Sequence, residues 1–256
     1  MSLTTDVTWV FAVLLVSLRL GVVVVMSPLF SFMGLPLHLR IALTLTFAAL
    51  LVAGTSPASL AAIPTTVAEL VQSAAMELLI GGCLAFAIFA AFAAFQFAGR
   101  IMDTQLGFGV AGLVDPSTRA QAPLLGTVLN MAAVITFFAI GGHHLLFRGL
   151  AFSLQKIPPG AQLRAIPVDQ VVSQFGSMFV FSALLASPVM IVILLVDMSM
   201  ALMARTMPQM NVFIVGLPLK IFVGLMVLAL SLGYLLPVFE RVFAGLFGGW
   251  ERVIGN

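Results

Sequence analysis

The stretch GRIMDTQLGFGVAGLVDPSTRAQAP, Gly99 to Pro123, is a polar, glycine-rich passage enclosed by apolar sequence on both sides. Leu70 to Phe97 precedes it and Leu124 to Phe147 follows it, each with at most one charged residue. Flanks of this kind put the start and finish of the passage at, or inside, a membrane-depth structure. Irregular backbone in such a place is tolerated only where it is buried in protein or lines an aqueous cavity. The passage is therefore where function is expected.

The composition agrees with that placement. Of 256 residues, 62% are hydrophobic and 8% charged, whereas charged residues make up about a quarter of a soluble domain. The mean hydropathy is +1.21. These values define an integral membrane protein with about six long apolar segments, enough for one all-α bundle and too few for a sizeable soluble domain beside it; a single domain over 1–256 is expected. The net charge is +2 with the basic residues scattered singly, so no polybasic patch points to nucleic acid or to an anionic lipid surface. Cys83 has no partner for an intrachain disulfide and reads as a small packing residue. The first basic residue, Arg19, follows the apolar run Val7 to Leu18, so a cleaved signal is not expected and the first segment is read as retained.

In chain order, the first segment is Trp9 to Met26, ended by Pro28, and its Arg19 requires an acidic partner at that depth. A loop is expected over Ser27 to Arg40, then a short second segment, Ile41 to Val52, which spans a bilayer only if it begins near Leu35. Gly54 to Thr66 reads as a turn region. The third segment, Val67 to Gly107, is longer than a bilayer needs, and carries Glu69, Glu77 and the i, i+3 pair Arg100 and Asp103. Leu124 to Phe147 is the fourth segment, interrupted at Gly141-Gly142-His143-His144; the adjacent histidines lack the i, i+4 spacing of a metal pair and read as interfacial polar residues. Arg148 to Asp169 is expected to be the longest conventional loop. The fifth segment, Val171 to Met203, contains a Pro188 kink and Asp197, and a polar hairpin from Ala204 to Lys220 leads into the sixth, Ile221 to Phe247, interrupted near its end by Pro237 and Glu240. Trp250 reads as an interfacial anchor. Basic residues divide almost evenly between the two sides, so loop charge does not set the orientation.

Gly107-Phe108-Gly109-Val110-Ala111-Gly112 matches a dinucleotide fingerprint letter for letter, but a long apolar helix stands where a strand is needed, and no acid occurs between Asp115 and Asp169. The glycines instead suit a compact turn, with Asp115-Pro116 as a turn or helix start and Asp115 within i, i+4 reach of Arg119. The intramembrane charges Arg19, Glu69, Glu77 and Asp197, with Lys220, admit two readings, a proton or ion relay and a set of salt bridges. Methionines gather at Met198, Met200, Met203, Met207 and Met210, either as ordinary packing or as a compliant seal. Gly34-Leu35-Pro36-Leu37 before Arg40 is echoed by Gly216-Leu217-Pro218-Leu219 before Lys220. No nucleophile-base pair, metal-ligand cluster or phosphate loop is present, so an enzyme is not expected and no cofactor is assigned.

The GFGVAGLVDP of the central passage, together with ARTMPQMNVFIVGLPLK from Ala204 to Lys220, resembles the FliR family of flagellar type III export-gate subunits and its injectisome relatives. SPLFSFMGLPLHLR at Ser27 to Arg40 and the Pro-Pro-Gly at Pro158 to Gly160 fit as well, so the likeness covers nearly the whole chain; PQ-x-NVF and G-x-PLK are its most specific part. The resemblance implies a helical hetero-oligomeric gate built with FliP and FliQ, associated with FlhB and FlhA, in the bacterial inner membrane. It implies a P-like half, 1–147, followed by a Q-like hairpin, 171–256. It also places a pore plug at Gly107, Phe108, Gly109, Val110, Gly112, Leu113, Val114, Asp115 and Pro116, whose glycines suit a compact plug and whose apolar side chains exclude ions. The hairpin residues Arg205, Met207, Pro208, Gln209, Asn211, Phe213, Gly216, Pro218 and Lys220 correspond to a loop facing FlhB. The expected activity is passage of unfolded flagellar export substrates, with the plug closing the pore to ions until a substrate passes. The rival readings are an injectisome homologue and a small secondary transporter using Glu77 and Asp197 as coupling carboxylates.

Overall fold

A computed structural model describes residues 7–32, 34–55, 66–108, 123–160, 168–207 and 212–255. Among them every regular element is helical. The helices are α1 (Val7–Met26), α2 (Pro28–Phe32), α3 (Leu37–Ala53), α4 (Val67–Leu106), α5 (Leu124–Ala139), α6 (Gly142–Lys156), α7 (Val168–Thr206) and α8 (Val212–Gly255). By length and composition, four of them (α1, α4, α7 and α8) can cross a membrane, and α5 with α6 makes a fifth span if that bent pair is one. The all-α membrane class expected from the composition is the class observed.

α4, α7 and α8 are 40, 39 and 44 residues long. At 1.5 Å per residue each exceeds about 58 Å, nearly twice the ~30 Å hydrocarbon core of a bilayer. Apolar residues dominate all three, alanine above all in α4, valine in α7 and leucine in α8, and they run right round the helix instead of following one stripe. That suits burial in protein or lipid on every side.

Several boundaries differ from the sequence reading. Pro28 opens the short α2 where a loop was expected over Ser27 to Arg40, because proline is well tolerated in a first helical turn. α3 begins at Leu37, behind Pro36, and Arg40 secures the break by donating to the carbonyls of Leu35 and Phe30, each at 3.0 Å. The fourth segment is two helices bent by 71°, the turn being made at Gly141 with φ +72, a conformation glycine adopts without steric cost. α6 then continues to Lys156, so the first part of the expected loop at Arg148 to Asp169 is helical; its buried row Leu146, Leu150 and Leu154 has i, i+4 spacing. α8 runs through Pro218, Pro237 and Glu240, and α7 through Pro188; each proline removes one backbone hydrogen bond, and the long helix continues past it.

The chain forms two compact units. The first comprises Met1–Ala90, Gly141–Phe175 and Ala244–Asn256. In it, Ala12, Val16, Leu20 and Val23 of α1 are buried, as are Thr44, Ala48 and Val52 of α3, and the two helices are extensively apposed. Phe47 stacks on Phe147 with ring centroids 4.5 Å apart. Trp250 is only 2% exposed and its Nε1–H donates to the Leu84 carbonyl at 3.2 Å. The interfacial anchor expected at Trp250 is therefore a core residue, seated where Gly149 leaves no side chain in its way.

The second unit comprises Ala91–Ile140 and Gly176–Phe243. Its centre is an aromatic cluster: Phe92 and Phe95 of α4, Phe137 of α5, and Phe239 and Phe243 of α8, with centroid separations of 4.5–6.1 Å. Tilted pairs at these distances contribute about 0.5–1.5 kcal/mol each beyond area burial. On α7 and α8, by contrast, Val180, Leu184, Ile191, Leu194, Phe222 and Leu230 are exposed.

Candidate functional site

Three arrangements hold the residues singled out by sequence. The first is a buried ionic knot in the first unit. Arg19 Nε donates to Glu77 Oε2 at 2.6 Å and Nη2 donates to Oε1 at 3.0 Å, with the side chains 1% and 2% exposed. Arg19 Nη1 also donates to Ser153 Oγ at 3.1 Å, and Nη2 to the Ile157 carbonyl at 3.0 Å. One guanidinium thus joins α1, α4 and the end of α6. The close approach this requires is made by Gly81, one turn from Glu77, where an added Cβ would lie 2.6 Å from the Arg19 carbonyl oxygen. Arg19 has the acidic partner that its depth demands, while Glu69, in the first turn of α4, is exposed.

The second arrangement is the neck of the central passage, in the second unit. α4 ends at Leu106, and Gly107, with φ +83, turns the chain off the helix axis. The chain re-enters described structure at Pro123, whose side chain offers no cap to α5. The cap comes from Asp103: its carboxylate accepts from the Leu125 N–H at 3.1 and 3.2 Å and from the Gly126 N–H at 3.5 Å. The i, i+3 pairing of Asp103 with Arg100 is not formed; the carboxylate is buried while Arg100 is exposed. Beside it Gly99 and Gly126 meet backbone to backbone, leaving no room for a Cβ on Gly99. Of the expected plug residues, Gly107 and Phe108 are half-buried at this neck. Gly109, Val110, Gly112, Leu113, Val114, Asp115 and Pro116 lie outside the described residues.

The third arrangement corrects the expected hairpin. Arg205 is in the last turn of α7, Met207 follows it, and Gly216, Pro218 and Lys220 are on α8, so much of Ala204 to Lys220 is helix and not loop. Pro208, Gln209 and Asn211 lie outside the described residues, as does the side chain of Phe213. Lys220 forms an ion pair with Asp197 of α7, the two side chains being 28% and 39% exposed. Gly216 faces Met200, and Gly224 leaves space for Leu106. Leu217 lies against Gly107, an added Cβ there standing 3.1 Å from Leu217 Cδ1. The two sequence features assigned functional weight therefore meet within one unit. Of the clustered methionines, Met198, Met203 and Met207 are exposed and Met200 is buried.

Sequence reasoning missed Asp103 as a cap and Ser153 as a third partner of Arg19. The first was legible in principle. Gln121-Ala122-Pro123 supplies no Ser, Thr, Asp or Asn where α5 begins, so the orphan N–H groups of that helix need an acceptor from elsewhere. Ser153 gave no signal, because it lies 134 residues from Arg19 along the chain and on a different helix. Among the described residues, no group of three or more His, Cys, Asp or Glu is placed to hold a metal ion.

Long apolar helices joined by a buried ionic knot define a multi-pass membrane protein. Residues 10–246 match the family model of bacterial export proteins, family 1, and the chain belongs to that family, the FliR/SctT family. It is 28% identical over 242 residues to the flagellar biosynthetic protein FliR of Escherichia coli K12, covering 93% of this chain and 91% of that one. It is 35% identical over 172 residues to FliR of Bacillus subtilis 168, covering 66% of each. Similarity extends to the Yop proteins translocation protein T of Yersinia pestis, 30% identical over 147 residues and 56% of each chain.

Proposed function

We propose that this chain is a non-enzymatic core subunit of the flagellar type III export gate in the bacterial inner membrane. In this reading it nucleates the channel with FliP and FliQ, a P-like half followed by a Q-like hairpin, and its central passage forms a plug that closes the pore to ions until an unfolded substrate passes. The observation that carries the reading is the neck. Asp103 and the Gly99–Gly126 contact hold the two ends of one polar passage together at the ends of apolar helices, which is what a loop inserted into a pore requires of its stem. Membership of the export family supports it.

The test is deletion of 109–122, which leaves the neck intact. The variant is expected to assemble with its partners, as read by native mass, and to render vesicles leaky to potassium. Unchanged conductance in an assembled complex would overturn the plug.

The FlhB-facing assignment is tested at Arg205, which is exposed at the end of α7. Arg205→Glu is expected to reduce crosslinking to FlhB and motility without lowering the amount of complex; normal crosslinking would count against it. Lys220 needs a different design because it is already committed to Asp197. Lys220→Ala leaves a lone carboxylate in apolar surroundings, at roughly 2.5–3.5 kcal/mol for a charge at membrane depth. The swap Lys220→Asp with Asp197→Lys is expected to restore protein level, and failure of the swap would show that each residue has a separate partner.

The transporter reading draws no support from the geometry. Its two coupling carboxylates, Glu77 and Asp197, are each engaged by a cation.

A further inference from the structure

We infer that a cavity in the first unit, between α6 and the end of α8, binds the headgroup of a phospholipid that carries a primary ammonium beside its phosphate, the phosphatidylethanolamine class. Both walls belong to that unit, one from Gly141–Phe175 and the other from Ala244–Asn256. The cavity measures about 390 Å³, within the ~300–1,000 Å³ usual for small-molecule sites. Leu145, Arg148 and Phe152 line it from α6, on one helix face at i, i+3 and i+7. Phe247, Trp250 and Glu251 line it from α8, at i, i+3 and i+4. Trp250 is buried and sits against Gly149, where an added Cβ would stand 2.5 Å from Trp250 Cε3. Its ring meets Phe247 edge-on with centroids 5.9 Å apart, so the α8 wall is aromatic.

The charges of the cavity select its occupant. Arg148 and Glu251 are both exposed there, yet they do not pair with each other; the ion pairs among the described residues are Arg19–Glu77 and Lys220–Asp197. One cavity therefore offers a guanidinium and a carboxylate to a single ligand. The planar guanidinium fork matches a phosphate. A primary ammonium donates charge-assisted hydrogen bonds to a carboxylate and is attracted to aromatic faces, and the aromatic residues Phe247 and Trp250 precede Glu251 on the same helix face. A free phosphate would leave Glu251 unmatched. A choline headgroup has no N–H to donate to it, and a glycerol headgroup has no cation. The depth is also that of a headgroup. α6 carries His143, His144, Arg148, Gln155 and Lys156 in 15 residues, whereas α1 carries a single charge in 20. Its buried row faces the protein and its basic residues face out, with Lys156 Nζ 5.7 Å from the Phe152 ring centroid. Amphipathic helices with basic polar faces lie at the membrane interface. The site needs a bilayer around the chain and nothing of the central passage, so it stands apart from the plug reading.

The experiment reconstitutes the assembled complex in phosphatidylcholine vesicles containing one photoactivatable lipid at a time: phosphatidylethanolamine, phosphatidylglycerol or phosphatidylcholine, with the diazirine at the same acyl position. Labelling of segments 145–152 and 247–251 is read per complex by mass spectrometry. Phosphatidylethanolamine is expected to label both segments about fivefold more than either other lipid, the scale of one ion pair at a membrane surface. Glu251→Gln is expected to bring phosphatidylethanolamine down to the level of phosphatidylcholine. Arg148→Gln is expected to lower labelling by all three lipids. Arg148→Lys, which keeps the charge, is expected to retain the preference, and with Glu251→Gln it carries the test if Arg148→Gln does not assemble. Equal labelling by the three lipids, or a preference that survives both Arg148→Gln and Glu251→Gln, overturns the site. Strongest labelling by phosphatidylglycerol overturns it as well, because the cavity would then select an anion. Absence of label from both segments has the same force, since another subunit would then cover the cavity. Excess inorganic phosphate is expected to leave labelling unchanged; competition would assign the cavity to a soluble phosphate compound instead of a lipid.

Discussion

Glu77→Ala and Arg19→Ala are each expected to cost the chain about 3–5 kcal/mol, the usual penalty for stranding one member of a buried ion pair. Total stability is commonly about 5–15 kcal/mol, so either variant should be largely lost from membranes. The physical reason is asymmetric. In the parent protein the guanidinium satisfies two carboxylate oxygens, a hydroxyl and a carbonyl; without Glu77 it retains only the two neutral partners, with no route to water. Replacing both charges by apolar residues of similar volume, Arg19→Met with Glu77→Leu, removes the stranded charge. The double variant is therefore expected to recover most of the protein level, and the three levels are compared by immunoblot and by thermal aggregation in detergent. Wild-type levels of either alanine variant would show that the knot is dispensable. Glu77→Gln sharpens the contrast with transport: a coupling carboxylate predicts a stable, inactive protein, whereas the knot predicts a protein that accumulates poorly because the charge on Arg19 is no longer balanced.

The parts of the fold that were legible in the sequence are those set by the solvent. Composition dictates membrane helices, the overlong third segment is visible in its own run of apolar residues, and a lone Arg19 at depth announces a partner. The parts that were not legible depend on where one helix meets another. Trp250 reads as an anchor because its ring and N–H suit an interface, yet a carbonyl of α4 and the bare surface of Gly149 accept it inside the first unit. Asp103 shares a helix face with Arg100 in the sequence, yet its buried carboxylate is taken by two N–H donors at the open end of α5. Pro237 reads as an interruption because a proline removes one backbone hydrogen bond. In α8 the flanking turns carry the helix through it, and through Pro218 as well. The candidate site followed the same division: the lack of a local cap before α5 was visible in the sequence, but that Asp103 supplies it was recognisable only in three dimensions.

Glycine substitutions separate contact from composition in the same helix. Gly81 and Gly82 are neighbours in α4, but an added Cβ on Gly81 lies 2.6 Å from the Arg19 carbonyl while one on Gly82 meets nothing within 4 Å. Gly82→Ala is therefore expected to be neutral or to stabilise by up to about 1 kcal/mol through helix propensity. Gly81→Ala must push α1 away and stretch the Arg19–Glu77 bonds, so its cost exceeds the ~1–3 kcal/mol of ordinary overpacking. Gly99→Ala is the most severe of the three. Its Cβ would overlap the Gly126 backbone, two main chains that have no rotamer with which to yield, in a contact of the small-residue kind that lets membrane helices approach closely. Displacing α5 there also draws Leu125 and Gly126 away from Asp103. Gly99→Ala is thus expected to lower the yield of assembled complex severalfold and to leave the residual complex leaky, whereas Gly81→Ala lowers yield without leak. Equal yields for Gly81→Ala, Gly82→Ala and Gly99→Ala would mean that the helices slide past these positions at no cost. Leak from the Gly81 variant would mean that closure is not localised at the neck.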